Sequence, residues 1–214
     1  MARKILLFGG TFDPVHNGHL IVARCVAERC GFERVTLVPA ASPPHKDTAR
    51  ASGADRLEML RRAVAGDPLF EICDLELHRS GASYTFDTLT AVRGRNDGEV
   101  SLYWLIGADM LEQLHTWSRA SEVVDMAGII TAMRSPWDRR VPAILEALRG
   151  RFRPEQVRRL EDAIVATPLI DISSTEIRGR VRQGSSIRYL VPEGVRAYIR
   201  AEKLYQAAAQ THNG

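Results

Sequence analysis

Two histidines three residues apart, His16 and His19, stand in the stretch GGTFDPVHNGHL (9–20), which follows directly on the apolar run Ile5-Leu6-Leu7-Phe8. A helix is expected to begin there. Helix starts carry unpaired backbone N–H groups and partial positive charge, so a protonated imidazole is disfavoured unless an anion supplies the missing negative charge. The pair therefore reads as two donors to a phosphate. Two plainer readings stand beside it. One histidine could cap the turn while the other packs, or the two could bind zinc, although no third ligand is evident nearby. Gly9 and Gly10 at the strand exit would let a ligand approach the backbone closely.

A second cluster is ISSTEIR, residues 172–178. Ser173 and Glu176 have the spacing of a capping box, so helix initiation alone accounts for them. It does not account for Thr175 and Arg178, which add a hydroxyl and a planar cation suited to phosphate oxygens. Two helix-start anion sites suggest a polyphosphate substrate. The chain has neither G-x-G-x-x-G nor G-x-x-x-x-G-K-[ST], so the usual dinucleotide and P-loop devices are absent.

The elements that must position these clusters follow from short apolar runs alternating with helical spacing. Strands are expected at 4–8, 34–39, 70–77, 101–109 and 127–133, and 168–181 reads as a short strand running into a helix. Helices are expected at 18–30 with Gly31 as the stop, at 54–65, at 85–93, after 109, and over 140–162 with breaks at Gly150 and Pro154. A last helix should begin near Pro192, and the end of the chain from about 206 should fray. Residues 40–53 are rich in Ala, Ser, Pro and Gly and read as a loop. Buried, continuous strands alternating with helices predict an α/β fold: a doubly wound parallel sheet of Rossmann-like type with helices on both faces. Ligands of such sheets bind beyond the carboxyl ends of the strands, where residues 9–19, 107–109 and 172–178 all fall. No linker divides the 214 residues, so one domain over 1–214 is expected.

Composition narrows the class. Hydrophobic residues make up 45% of the chain and charged residues 26%, as in water-soluble globular proteins. A net charge of +3 suits an anionic small molecule but is too weak to imply nucleic acid. The Arg-rich stretch 138–160 lacks the aromatic interleaving of RNA-binding surfaces. Cys25, Cys30 and Cys73 form no C-x-x-C pair, and no apolar run approaches a membrane span. A reduced, cytoplasmic protein without nucleic-acid or membrane partners is expected, with a homo-oligomer left open.

GGTFDPVHNGH together with ISSTEIR resembles the nucleotidyltransferases that carry H-x-G-H and ISSTxxR motifs. PPHK (43–46), SYTFDTL (83–89), GAD (107–109) and Trp117 resemble one branch of them, the bacterial nicotinate-mononucleotide adenylyltransferases. The likeness runs from about residue 4 to 200. It implies that nicotinate mononucleotide and ATP, with Mg²⁺, give deamido-NAD and pyrophosphate through in-line attack of the 5′-phosphate on the α-phosphorus. It further implies that His16, His19 and Arg178 are catalytic. Gly9, Gly10, Thr11, Phe12, Lys46, Ser173 and Thr175 would serve the phosphates, and Gly107 and Asp109 the adenosine ribose. Tyr84 and Thr85 would offer N–H groups to the nicotinate carboxylate, Trp117 would stack on the pyridine ring, and Arg134 would be a further nicotinate-binding residue. No protein metal site is implied.

Plainer readings remain for several of these: a helix-first-turn aspartate for Asp109, a core side chain for Trp117, and a solvated loop lysine for Lys46. The chain departs from the branch at Ala40-Ala41, where asparagine is usual, and at Arg134-Ser135-Pro136, where Arg-Pro-Gly is usual. The alternatives are an enzyme preferring nicotinamide mononucleotide and a non-catalytic nucleotide-binding protein of the same fold.

Overall fold

The computed structural model describes residues 3–41, 50–79, 81–96, 100–133 and 139–206. Lys46 and Arg134 lie outside the described residues, as do PPHK (43–46) and most of the tail from 206. Six strands are described: β1 (Arg3–Gly10), β2 (Val35–Pro39), β3 (Phe70–Ile72), β4 (Val100–Gly107), β5 (Ala127–Met133) and β6 (Ile164–Ala166). The helices are α1 (Asn17–Cys30), α2 (Gly53–Val64), α3 (Thr85–Gly94), α4 (Ala108–Gln113), α5 (Ala120–Met126), α6 (Val141–Arg149), α7 (Pro154–Asp162), α8 (Ser174–Arg182) and α9 (Glu193–Ala201).

Neighbouring residues of each central strand go to opposite cores. Leu6, Leu37, Leu105 and Ile130 pack on one face with Ala23 and Val26 of α1, Met59 and Leu60 of α2, Ile177 of α8 and Ile199 of α9. Leu7, Val38, Ile106 and Ile129 pack on the other with Leu89 of α3, Leu111 of α4, Val123 of α5, Ile144 of α6 and Leu160 of α7. Side chains alternate across a strand, so an apolar run with no polar interruption requires a helical layer on each face. The strands are all parallel in the order β3-β2-β1-β4-β5-β6. This is the expected α/β doubly wound, Rossmann-like sheet, with its topological switch between β1 and β4.

The two central strands part company near their carboxyl ends. Their last paired residues are Phe8 and Leu105. Beyond that point Gly9 and Gly10 pair only with Val38 and Pro39 of β2, and Ile106 and Gly107 only with Thr131 and Ala132 of β5. A crevice therefore opens between Gly10 and Gly107, at the edge where the motifs gather.

Four expectations need correction. The strand expected at 70–77 is only Phe70–Ile72, and Leu75–His78 forms a 3-10 turn. The turn carries Glu76 inward, where its carboxylate accepts the Thr88 hydroxyl at 2.6 Å. The short strand expected to open 168–181 does not form; β6 lies earlier, at the end of the helical stretch. Thr167 N–H closes the ladder onto Met133 O at 2.7 Å, and Pro168 has no N–H to extend it. β4 stops at Gly107, and Ala108 and Asp109 already belong to α4. Helix α5 is a separate element within the stretch after 109, where only one helix is expected. It starts at Arg119, a non-glycine residue at φ 56, whose guanidinium pairs with Glu122.

The Arg-rich segment forms α6 and α7, broken where Gly150 and Pro154 stand. Its arginines pair with carboxylates: Arg153 and Arg159 both hold Asp125, and Arg140 holds Glu112. No described helix is long and apolar enough to cross a membrane.

Candidate active site

The loop from β1 to α1 is shaped by rings. The place a Cβ would take on Gly9 is filled by the indole of Trp104, and that on Gly10 by the Phe12 ring at 3.0 Å. The Cβ direction of each glycine is thus taken by an aromatic ring of the protein itself, so a side chain at either position would press on that ring. Phe12 itself is buried at φ 50 and meets the His19 ring edge-on at 5.1 Å.

His16 is the N-cap of α1 and is 6% exposed. Its Nδ1 accepts the His19 backbone N–H at 3.3 Å, and the Nδ1 of His19 accepts the His16 backbone N–H at 3.2 Å. The two rings stack with centroids 3.6 Å apart. Both histidines therefore cap, where the plain reading expected one to cap and one to pack. An Nδ1 that accepts a backbone N–H carries no proton, which assigns the proton of each neutral ring to Nε2. Each imidazole can then donate through Nε2 without being charged, so the charge conflict at a helix start is avoided. Gly18 lies beneath this stack: a Cβ there would sit 3.0 Å from the His16 Nδ1.

The second motif docks onto the first. Ser174 Oγ donates to Pro14 O at 2.9 Å, and Arg178 donates to Asp13 O at 2.7 Å and to Thr175 Oγ1 at 3.2 Å. Ser173 is the N-cap of α8, its hydroxyl accepting the Glu176 N–H at 3.1 Å. The starts of α1 and α8 thus stand together at the sheet edge, 165 residues apart in sequence at the Arg178–Asp13 contact.

The proposed pyridine-binding residues form a separate group. Tyr84 caps α3 through its backbone and is 40% exposed, with Thr85 the first helical residue. The first N–H groups of any helix have no partner within it, which suits a carboxylate. Trp117 is half-buried against the core, and Arg119, two residues on, lays its guanidinium over the Phe86 ring at 3.4 Å. This stacking brings the Trp117 segment against the start of α3. Gly107 caps α4 through its backbone, and Asp109 is exposed in the first turn.

Three buried side chains tie the site together, and the motif reading assigned them no part. Arg56, only 2% exposed, donates to Thr11 O at 2.8 Å and to Ala40 O at 2.7 Å, joining the ends of β1 and β2. Burial pulls its pKa below the usual arginine value, with the Asp13 carboxylate opposing. Asp13 accepts the backbone N–H groups of Arg50 and Ala51 at 2.7 and 3.1 Å. Glu76 is buried under α3, and that burial pushes its carboxyl above the usual range. Asp13 lies within the first motif, whereas no local spacing singles out Arg56 or Glu76. Among the described residues no group of three or more His, Cys, Asp or Glu side chains could hold a metal ion.

A family model described as cytidylyltransferase-like matches residues 7–180. A protein of Neisseria meningitidis serogroup B named "Probable nicotinate-nucleotide adenylyltransferase" is 40% identical over 205 residues, covering 95% of this chain and 99% of its own. Proteins of the same name from Desulfitobacterium hafniense and Lactiplantibacillus plantarum are 40% and 36% identical, covering 95% of this chain and 96% and 89% of theirs. Among solved structures, a Plasmodium falciparum nicotinic acid mononucleotide adenylyltransferase complexed with NaAD superposes with a TM-score of 0.74 at 18% identity. That match covers 95% of this chain and 97% of the other.

Proposed function

The chain belongs to the cytidylyltransferase-like family, among the nicotinate-nucleotide adenylyltransferases, and we propose from that premise how its geometry serves the reaction. It transfers the adenylyl group of ATP to nicotinate mononucleotide, giving deamido-NAD and pyrophosphate in NAD biosynthesis. The observation that carries this reading is the docking of two helix starts, with His16 and His19 on one and Ser173, Thr175 and Arg178 on the other.

A phosphate monoester is already an adequate nucleophile, so no protein nucleophile is required. An oxygen of the 5′-phosphate bonds to the α-phosphorus in line, and the bond to the β-phosphate oxygen breaks. Charge moves onto the leaving pyrophosphate. Catalysis is then positioning and charge stabilisation. The Nε2–H groups of His16 and His19 donate to the phosphate being transferred. Arg178, Thr175 and Ser173 hold the β- and γ-phosphates and take up the charge of pyrophosphate. Thr11 and the backbone of Gly10 and Phe12 border the same phosphates. Gly107 and Asp109, across the crevice, take the ribose, and the start of α3 with Trp117 takes the nicotinate ring and its carboxylate.

Mg²⁺ would be held mainly by the phosphate oxygens of ATP, where it neutralises charge. This suits a site whose nearest buried carboxylate, Asp13, has both oxygens engaged. We also place the protein in the cytoplasm, in keeping with its free cysteines Cys25, Cys30 and Cys73.

The test is pyrophosphate release with ATP, Mg²⁺ and either mononucleotide. Turnover with a marked preference for the nicotinate form is expected. No turnover with either would remove the enzyme reading, and a preference for the amide would remove the substrate assignment.

A further inference from the structure

The carboxylate of Asp13, 4% exposed, also accepts the hydroxyl of Tyr205 at 2.7 Å, across 192 residues of sequence. Tyr205 follows α9 after a sharp reversal. Glu202 N–H returns to Tyr198 O and Leu204 N–H to Ile199 O, and both Lys203 and Tyr205 adopt positive φ, at 53 and 63. Non-glycine residues enter that region at a cost, so the packing around them must hold them there. Leu204 and Tyr205 lie against the apolar core on the α1 and α2 side of the sheet. Burial and the Asp13 carboxylate push the phenol far above its ordinary pKa, so the hydroxyl remains a donor.

Asp13 thereby joins four parts of the chain. Its side chain holds the Arg50-Ala51 backbone and Tyr205, and its carbonyl holds the Arg178 guanidinium at 2.7 Å. It stands three residues before His16. The three bonds to its side chain fix where the Asp13 backbone sits, and a shift of that backbone would move the carbonyl that orients Arg178 and the loop that leads into the histidine cap. The Tyr205 hydroxyl is the one side-chain donor on that carboxylate among the described residues; the other donors are backbone.

We propose that Tyr205 is a positioning residue of the phosphate site, acting through Asp13 to hold Arg178 and the β1–α1 loop in their reactive arrangement. The proposal rests on the reading of Arg178 and the histidine pair as phosphate ligands. A tyrosine that only anchored the end of the chain would contribute to stability and leave turnover per folded molecule unchanged.

Tyr205→Phe removes the hydroxyl and keeps the ring. In the full chain, kcat for pyrophosphate release should fall about tenfold, which corresponds to roughly 1.4 kcal/mol. The KM for the mononucleotide should be unchanged, and the fall in kcat per folded molecule should remain after any lowering of the thermal midpoint by the lost buried hydrogen bond is taken into account. Asp13→Asn turns an amide N–H₂ toward donors and should lower kcat further. Calorimetric titration with Mg-ATP gives a second readout, in which Tyr205→Phe should bind several-fold more weakly than the unaltered chain. Unaltered kcat and Mg-ATP affinity in Tyr205→Phe would overturn the proposal, as would a lower midpoint with full turnover per folded molecule. If the unaltered chain turns over neither mononucleotide, the adenylyl-transfer reading fails. The Mg-ATP titration then decides the positioning role by itself.

Discussion

His16 and His19 cap one another: each imidazole Nδ1 accepts the other residue's backbone N–H, at 3.3 and 3.2 Å, and the rings stack at 3.6 Å. The arrangement uses one nitrogen of each ring to satisfy the helix start and assigns the proton to the other nitrogen. The same two side chains that build the first turn of α1 are thus presented as neutral donors. The capping role falls to Nδ1 of each ring, and the proposed phosphate contact would fall to Nε2.

Replacing one ring separates the two roles. His19→Ala should lower kcat by roughly a hundred- to a thousandfold, the loss typical of one preorganised donor at a developing charge. Its effect on stability should be only about 1 kcal/mol, the usual value of a helix cap. Steady-state pyrophosphate release and urea unfolding measure the two effects on the same preparation. Near-normal turnover would remove the assigned role.

Gly9 should tolerate no side chain, for a packing reason. The Trp104 ring atoms Cζ2 and Cη2 fill the place of a Cβ, and Trp104 is 5% exposed. Gly9→Ala should destabilise by about 1–3 kcal/mol through overpacking. Trp104→Leu opens the space, so the double variant should be more stable than the two single losses summed. Simple additivity in urea unfolding would show that the ring is not what Gly9 accommodates.

Arg56 should matter as a buried donor. Its replacement by leucine leaves Thr11 O and Ala40 O without the guanidinium bonds at 2.8 and 2.7 Å. Each orphaned carbonyl should cost about 1–3 kcal/mol. The unfolding midpoint in urea should fall with little change in slope. A variant as stable as the parent would mean that those carbonyls find other donors.

Glu76 sets a pH dependence whose sign follows from its environment. Burial raises its folded pKa above the unfolded value, against the opposing Thr88, Ser83 and Arg79 interactions. The folded state therefore binds this proton more tightly than the unfolded chain. The associated stability is fully present below the unfolded carboxyl pKa and is lost as pH rises through the raised folded value. Glu76→Gln keeps an acceptor for the Thr88 hydroxyl and has no proton to lose. Relative to the parent, its thermal midpoint should gain more at pH 8 than at pH 4. An equal shift at both values would show that Glu76 is not the group responsible.

Local spacing was enough for much of the fold. The strand of β1, the helix ending at Gly31 and the breaks at Gly150 and Pro154 each depend on residues within one turn or one strand of each other. Local spacing misleads where a distant partner decides the outcome. Residues 75–77 read as a continuing strand, but Thr88 takes the Glu76 carboxylate inward and a 3-10 turn forms instead. β6 is three residues long and is defined by pairing with β5, which no local pattern announces.

The candidate site divides in the same way. The amino-acid sequence by itself determined the chemical groups: two imidazoles at one helix start, and hydroxyls with a guanidinium at another. It also determined that parallel strands would bring such starts to one edge. Only the tertiary structure decided the atoms through which these groups are held. Trp104 behind Gly9, Arg56 bridging two strand ends, and Tyr205 on Asp13 are each contacts between elements remote in the chain. Periodicity and capping operate within a few residues, whereas the partner of a buried charge is chosen by how whole helices and strands pack.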